Sequence, residues 1–255
     1  MTGSREAARW IVALAVVGLG LSAAVLGADV LSAREILDRT EAAATAIEDL
    51  SATLTIETFR NGAISLTQTM AVALKQPDKM RQEFLSPAFL AGNVTLIVGN
   101  AMSIYIAAAD RWETKDLSTL STAEQPWLLF RNMLRSVRSQ FDDYTFARID
   151  DADPGQYHLR GEPASAAAVY GQIDLWVNAE TFVPVRRILY DTDGKLLADA
   201  RFLEPTRVDD IATIPLSIEA YDADGVLLNA ITYSAVSLNQ GVSDALFAVP
   251  GAPGG

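Results

Sequence analysis

The chain has a single histidine, His158, in the stretch QYHLRGEP. A catalytic triad or a histidine metal site would have to use it, and no G-x-S-x-G nucleophile motif accompanies it. In an alternating strand His158 shares a face with Arg160, opposite Tyr157 and Leu159, and it reads as an ordinary strand-surface histidine. Two aspartate pairs, Asp191/Asp193 in YDTDG and Asp222/Asp224 in YDADG, look like fragments of a calcium loop. Neither has the downstream glutamate of such a loop, and Asp-Gly supplies the positive φ of a tight hairpin. Asp150, Asp151 and Asp153 beside Pro154-Gly155 read as a solvated turn. There is no G-x-x-x-x-G-K-[ST] loop, and the one G-x-G lies in the apolar N-terminal run. With no cysteine, disulfides, thiolate metal sites and a lipid-modified cysteine are excluded. No enzyme, metal or cofactor is expected.

A different chemistry is offered further along. From about Pro126, Trp127, Phe130, Leu134, Val137 and Phe141 recur three or four apart and predict a helix with one broad apolar stripe. Arg131, Arg135 and Arg138 line one border of that stripe. Two readings stay open: arginines snorkelling from the edge of a packed helix, or a lid whose guanidinium groups meet an anionic headgroup. The net charge of −12 repels nucleic acid and anionic membrane surfaces, so no nucleic-acid partner is expected.

The elements that would position these groups follow from periodicity. Arg5 and Arg9 precede an uncharged run from Trp10 to Gly27, which reads as a secretory signal over 1–28, removed near Gly27 or Ala28. Residues 29–250 read as a single exported, periplasmic α+β domain, and 251–255 as a disordered tail. Ser32 and Glu35 form a capping-box start. Ile36, Thr40, Ala43, Ile47 and Leu50 then extend a predicted helix over 32–50. From Ser51 the period is two. SATLTIETF, QTMAVALK, PDKMRQEF, NVTLIVG and MSIYIAAADRW read as five strands, with turns at Asn61-Gly62, Pro77-Asp78 and Gly99-Asn100. A loop over 114–125 and the second helix precede seven further strands, from DYTFARID to VLLNAITYSAVSL.

In QTMAVALK, Met70, Val72 and Leu74 fall on one face, and Thr69, Ala71, Ala73 and Lys75 on the other. Neighbouring strands extend the bulky set to Leu54, Ile56, Met80, Phe84, Leu96, Val98, Ile104 and Ile106. Pattern alone leaves open whether this set is a filled core or an apolar pocket.

VALKQPDKMRQEF, TLIVGNAMSIYIAAADRW with the KDLS after it, IDLWVNAETFVPVRRILYDTDGK and VSLNQGVSDALFAVP, in this order, resemble the periplasmic outer-membrane lipoprotein carriers, the LolA-like lipoprotein-sorting proteins. The resemblance implies a strongly curved antiparallel β-sheet, an open half-barrel covered by helices, with acyl chains held between sheet and helices. It implies that the bulky set, joined by Trp127, Phe130 and Leu134, lines an acyl pocket. Lys75, Gln76, Arg131, Arg135 and Arg138 would then stand at its headgroup mouth. The implied cargo is a lipid or lipoprotein, passed between inner- and outer-membrane transfer proteins by a monomer. The chain departs from the carriers at Gln76, where they often have arginine, at Gln82, where they can have a large aromatic, and at Asn100-Ala101. Similar half-barrels also serve as lipid-sensing, anti-sigma-factor-binding modules of envelope stress, usually with a second domain; the end of this chain at 255 favours the carrier. A ligand-free structural domain is the third alternative.

Overall fold

The computed structural model describes residues 31–117 and 141–249. The leader, the predicted second helix before Phe141 and the tail lie outside the described residues. One helix, α1 (Ala33–Thr45), precedes six strands: β1 (Asp49–Arg60), β2 (Ala63–Lys75), β3 (Lys79–Ser86), β4 (Val94–Val98), β5 (Ala101–Ile106) and β6 (Arg111–Asp116). Seven more follow: β7 (Tyr144–Ile149), β8 (Gln156–Pro163), β9 (Gln172–Asn178), β10 (Pro184–Tyr190), β11 (Leu196–Val208), β12 (Ala212–Tyr221) and β13 (Leu227–Leu238). All thirteen form one antiparallel sheet in the order β6-β5-β4-β3-β2-β1-β13-β12-β11-β10-β9-β8-β7. Each half is a meander, and the halves join where β1 pairs with β13. The sheet is open, with β6 and β7 at its two ends. Among the described residues α1 is the one α-helix, so helical cover of the sheet is limited there.

The capping box forms as the sequence predicts. Glu35 N–H donates to Ser32 Oγ (3.3 Å) and Ser32 N–H to Glu35 Oε2 (2.8 Å). The hydrogen bonds from Ser32 hold the Glu35 carboxyl below its ordinary pKa. The helix stops at Thr45, short of the predicted residue 50, because Asn239 captures the chain. Its Oδ1 accepts from the amides of Glu48 (2.7 Å) and Asp49 (3.2 Å), and its Nδ2 donates to Ala46 O (2.9 Å). Leu50 consequently belongs to β1, paired with Leu74 and Leu238.

MSIYIAAADRW is two strands, so six precede the second helix position instead of five. A 3₁₀ turn over Ala107–Ala109 and Asp110 at φ 48° reverse the chain between β5 and β6. Ala107 N–H donates to Asn93 Oδ1 (2.8 Å), and Tyr105 OH to Asp110 Oδ1 (2.7 Å). Residues 114–116, predicted as loop, are the end of β6.

Elsewhere local turn chemistry decides. Asn61 and Gly62 take φ of 53° and 75°, the left-handed pair of a tight hairpin. Asp191 Oδ1 accepts from the amides of Asp193 and Lys195, and Asp222 Oδ1 from those of Asp224 and Val226. These carboxylates cap turns, as predicted over calcium ligation.

Buried side chains gather in three clusters. One joins Ala33 and Ile36 of α1 to Phe141, Leu159, Ile173, Leu175, Val177 and Leu189. A second holds Leu50, Leu54, Met70, Val72, Tyr233 and Leu238, and a third Met80, Ile97, Met102 and Leu117.

Candidate functional site: the apolar sheet face

Paired residues of an antiparallel sheet project to the same side, so the register decides which predicted residues meet. Leu54 pairs with Met70 and Met70 with Phe84; Leu74 pairs with Met80, Met80 with Ile97, and Ile97 with Met102. Strand alternation adds Ile56, Val72, Ile104 and Ile106. Leu54, Ile56, Met70, Val72, Leu74, Met80, Phe84, Ile104 and Ile106 therefore share one face.

Leu96 and Val98 do not. They pair with Arg81 and Lys79 and project from the other side. Since β4 is apolar at Val94, Leu96, Ile97 and Val98, its alternation carries no phase. The loop before it sets the phase, through Phe84 N–H donating to Asn93 O and Gly92 N–H to Phe84 O (2.9 Å each). The members that β4 supplies to the apolar face are Thr95 and Ile97.

Lys75 also belongs to the second face. That face carries the C-terminal segment, whose 3₁₀ turn Asp244–Phe247 packs on β3 and β4. Lys79 Nζ lies 2.8 Å and Lys75 Nζ 3.1 Å from Asp244 Oδ1, and Lys75 also donates to Val242 O (3.1 Å). Lys75 is thus a tether of the C-terminal segment on the second face. The alanines at 71 and 73 keep the second face shallow beside these tethers. Gln76 fastens the β2–β3 turn to the end of α1, donating from its side chain to Ala44 O (3.3 Å) and from its amide to Glu48 O (2.8 Å). Trp127, Phe130, Leu134, Arg131, Arg135 and Arg138 lie outside the described residues.

The apolar face runs on through the C-terminal half, which the sequence reading left out. Ile56 pairs with Ile231, Ile231 with Ile218, and Ile218 with Phe202. Further along, Ala200 pairs with Arg187, Arg187 with Leu175, and Leu175 with Leu159. The same period-two alternation in IDLWVN and VPVRRILY was the available signal. Ile36 of α1, fully buried, packs with Leu159, Leu175 and Leu189 on this stretch. A cavity of about 240 Å³ lies among β9–β12, lined by Val183, Val185, Phe202, Pro205, Arg207 and Pro215 among others.

Two side chains on this face hold a buried polar atom without a hydrogen-bond partner: Gln82 at Oε1 and Arg187 at Nε. Gln82, opposite Val72 and Thr95, sets its amide nitrogen against Met70 Sδ. Burial pushes the Arg187 pKa down, with a smaller opposing effect from Tyr170. The preceding residue, Arg186, projects to the other side, where Nε and a terminal nitrogen donate to the two oxygens of Asp199 (2.9 and 2.8 Å).

His158 corrects the sequence reading, since it is 2% exposed instead of lying on a surface. Its ring nitrogens lie 3.0 Å from Asp174 Oδ1 and 2.5 Å from Asp151 Oδ1, and the ring stacks on Trp176 at 4.1 Å. Asp174 also accepts from Arg160 Nε (2.9 Å) and Gln172 Nε2 (2.8 Å). With both ring nitrogens engaged by carboxylates, the imidazole braces β8 to β9 and to the turn before β8. Period-two spacing put His158 and Arg160 on one face; the β8–β9 register adds Asp174 and the stacked Trp176.

An open antiparallel sheet with one continuous apolar face is the class of architecture defined here, and the fold is LolA-like. A DUF1329 family protein from Desulfovibrio piger superposes with a TM-score of 0.66 at 20% identity, over 84% of this chain and 96% of that one. A LolA superfamily protein from Nitrosomonas europaea gives 0.64 at 18% identity, over 86% and 99%. A domain described as that of an outer membrane lipoprotein-sorting protein, from Vibrio parahaemolyticus, gives 0.62 at 16%, over 83% and 95%. No curated protein matches the sequence. A family model described as "-like: Uncharacterized protein" matches residues 76–250, and the chain belongs to that family.

Proposed function

We propose that the protein is a periplasmic carrier that holds the acyl chains of a lipid or lipoprotein on its apolar sheet face, for lipoprotein sorting or lipid transport. The observation that carries this reading is the continuity of that face from β5 to β8 while Ile56, Leu74, Phe84, Leu216, Ile218 and Ile231 stay only partly buried. A filled core would seal such side chains. An acyl chain has no directional groups, so its recognition needs only dry apolar area. Each buried methylene contributes about 0.8 kcal/mol, so about ten give roughly 8 kcal/mol before ordering costs. No catalytic step belongs to this reading, and the shared fold with sorting proteins supports it.

In this reading residues 1–28 are a leader, 29–250 one lipid-binding domain, and 251–255 a tail. The carrier acts as a monomer between membrane transfer proteins, with Gln76, Arg131, Arg135 and Arg138 at the mouth. N-terminal sequencing of exported protein is expected to start near Ala28; an intact Met1 in the membrane fraction overturns the leader.

Leu74 tests the central claim, because it lies where the second and third clusters meet and is only partly buried. Leu74→Glu puts a charge into the space and should abolish uptake of a fluorescent fatty-acyl probe while the far-ultraviolet dichroism of the sheet persists. A wild type that takes up no probe, with a Leu74→Glu variant that unfolds, would mean that the face is a filled core.

A further inference from the structure

Arg187 is out of place in its surroundings. On its own strand Leu189, two positions on, shares its face, and its cross-strand partners are Leu175 and Ala200. Beyond Ala200 stands Ala220, so two methyl-sized side chains in a row leave room above the sheet. Among the described residues Nε of this guanidinium has no hydrogen-bond partner and is sealed from water, while the residue as a whole is only partly buried. Arginine does not shed its proton in proteins, so the charge remains and a counter-charge is favourable there. The neighbouring Arg186 has one in Asp199, and Arg160 has one in Asp174. An Nε cut off from water and left unpaired on an otherwise apolar face is destabilising unless something outside the chain completes it.

We propose that Arg187 is the anchor for an anionic headgroup, a carboxylate or phosphate carried at the end of an acyl chain, held on the C-terminal half of the face. This rests on the carrier reading and specifies its ligand: an amphiphile whose negative end goes inside with the chain. Guanidinium suits both anions, since its planar fork presents two parallel donors to two oxygens.

The test uses three probes with one hexadecyl chain: hexadecanoate, hexadecyl phosphate and hexadecanol, titrated calorimetrically into mature wild type and Arg187→Gln. Wild type should bind at least one anionic probe about ten- to a hundredfold more tightly than hexadecanol, and the better of the two identifies the headgroup. Arg187→Gln should erase that preference and leave hexadecanol affinity unchanged. Arg187→Met should raise the melting temperature of the free protein, whereas an arginine with a structural role would lower it. Equal wild-type affinity for all three probes overturns the anchor and leaves the carrier intact, a result that does not depend on any variant folding. A preference kept in Arg187→Gln also overturns it. Failure of wild type to bind even hexadecanol overturns the carrier reading and the anchor together.

Discussion

Gly171 has almost no space around it: a Cβ there would come within 2.2 Å of Asp191 O and 2.8 Å of its carbonyl carbon. Both atoms are backbone, so no rotamer change relieves the contact, and Gly171 N–H already donates to Tyr190 O at 2.9 Å. Gly171→Ala is expected to destabilise by about 1–3 kcal/mol, as overpacking does, read as a lower urea midpoint with unchanged slope. Gly155→Ala is the contrast. A methyl there meets nothing within 4 Å, and only its φ of 85° resists, so a loss of about 1 kcal/mol is expected. The two arginines at 186 and 187 were legible in a way the glycines were not. Consecutive residues of a strand go to opposite faces, so a pair of charges between Val185 and Leu189 forces one of them among apolar neighbours. The clash at Gly171 depends on where residue 191 returns, and nothing local in the sequence records that.

Helix starts and hairpin turns were readable because their causes are local: Ser32 with Glu35, Asn61 with Gly62, Asp191 with Gly194. The end of α1 was unreadable because Asn239 sets it from the other end of the chain. The phase of β4 was unreadable because bulky apolar residues fall on both sides of it, and its loop chooses between them. The C-terminal segment shows the same dependence, since its hold on β3 and β4 runs through Asp244. Hydrogen bonds from Lys79 and then Lys75 keep that carboxyl below its ordinary pKa of 3.8. A depressed folded pKa means that the tether acts fully above the unfolded carboxylate pKa and fades as pH falls through the folded one. Amide protection over 242–248 should therefore persist at neutral pH and decline below about pH 4. Asp244→Asn should show the loosened segment already at pH 7 and flatten the dependence; unchanged protection in that variant would mean that Phe247 alone holds the segment.

Among the described residues the sheet ends at β6 and β7. β6 alternates charge along RWETKD, with Arg111 bridged to Glu113 at 2.6 Å, the kind of edge that resists pairing with another molecule. Replacing Arg111 and Glu113 by valine should raise the associated fraction in size-exclusion light scattering, and a purely monomeric variant would show that β6 does not guard the edge. The seam between β1 and β13 has a consequence of another kind, in the time course of folding. Every other neighbour in the sheet is also a neighbour along the chain, so each pairing closes a short loop, whereas β1 must wait for the last strand to be made. A chain emerging amino end first would hold one side of β1 open throughout. Written from β7 through β13 and on from β1 to β6, the spatial order becomes an uninterrupted meander. A circular permutant opened between Leu117 and Phe141, with its original ends linked, would have only short-range pairings and should refold faster than the natural order.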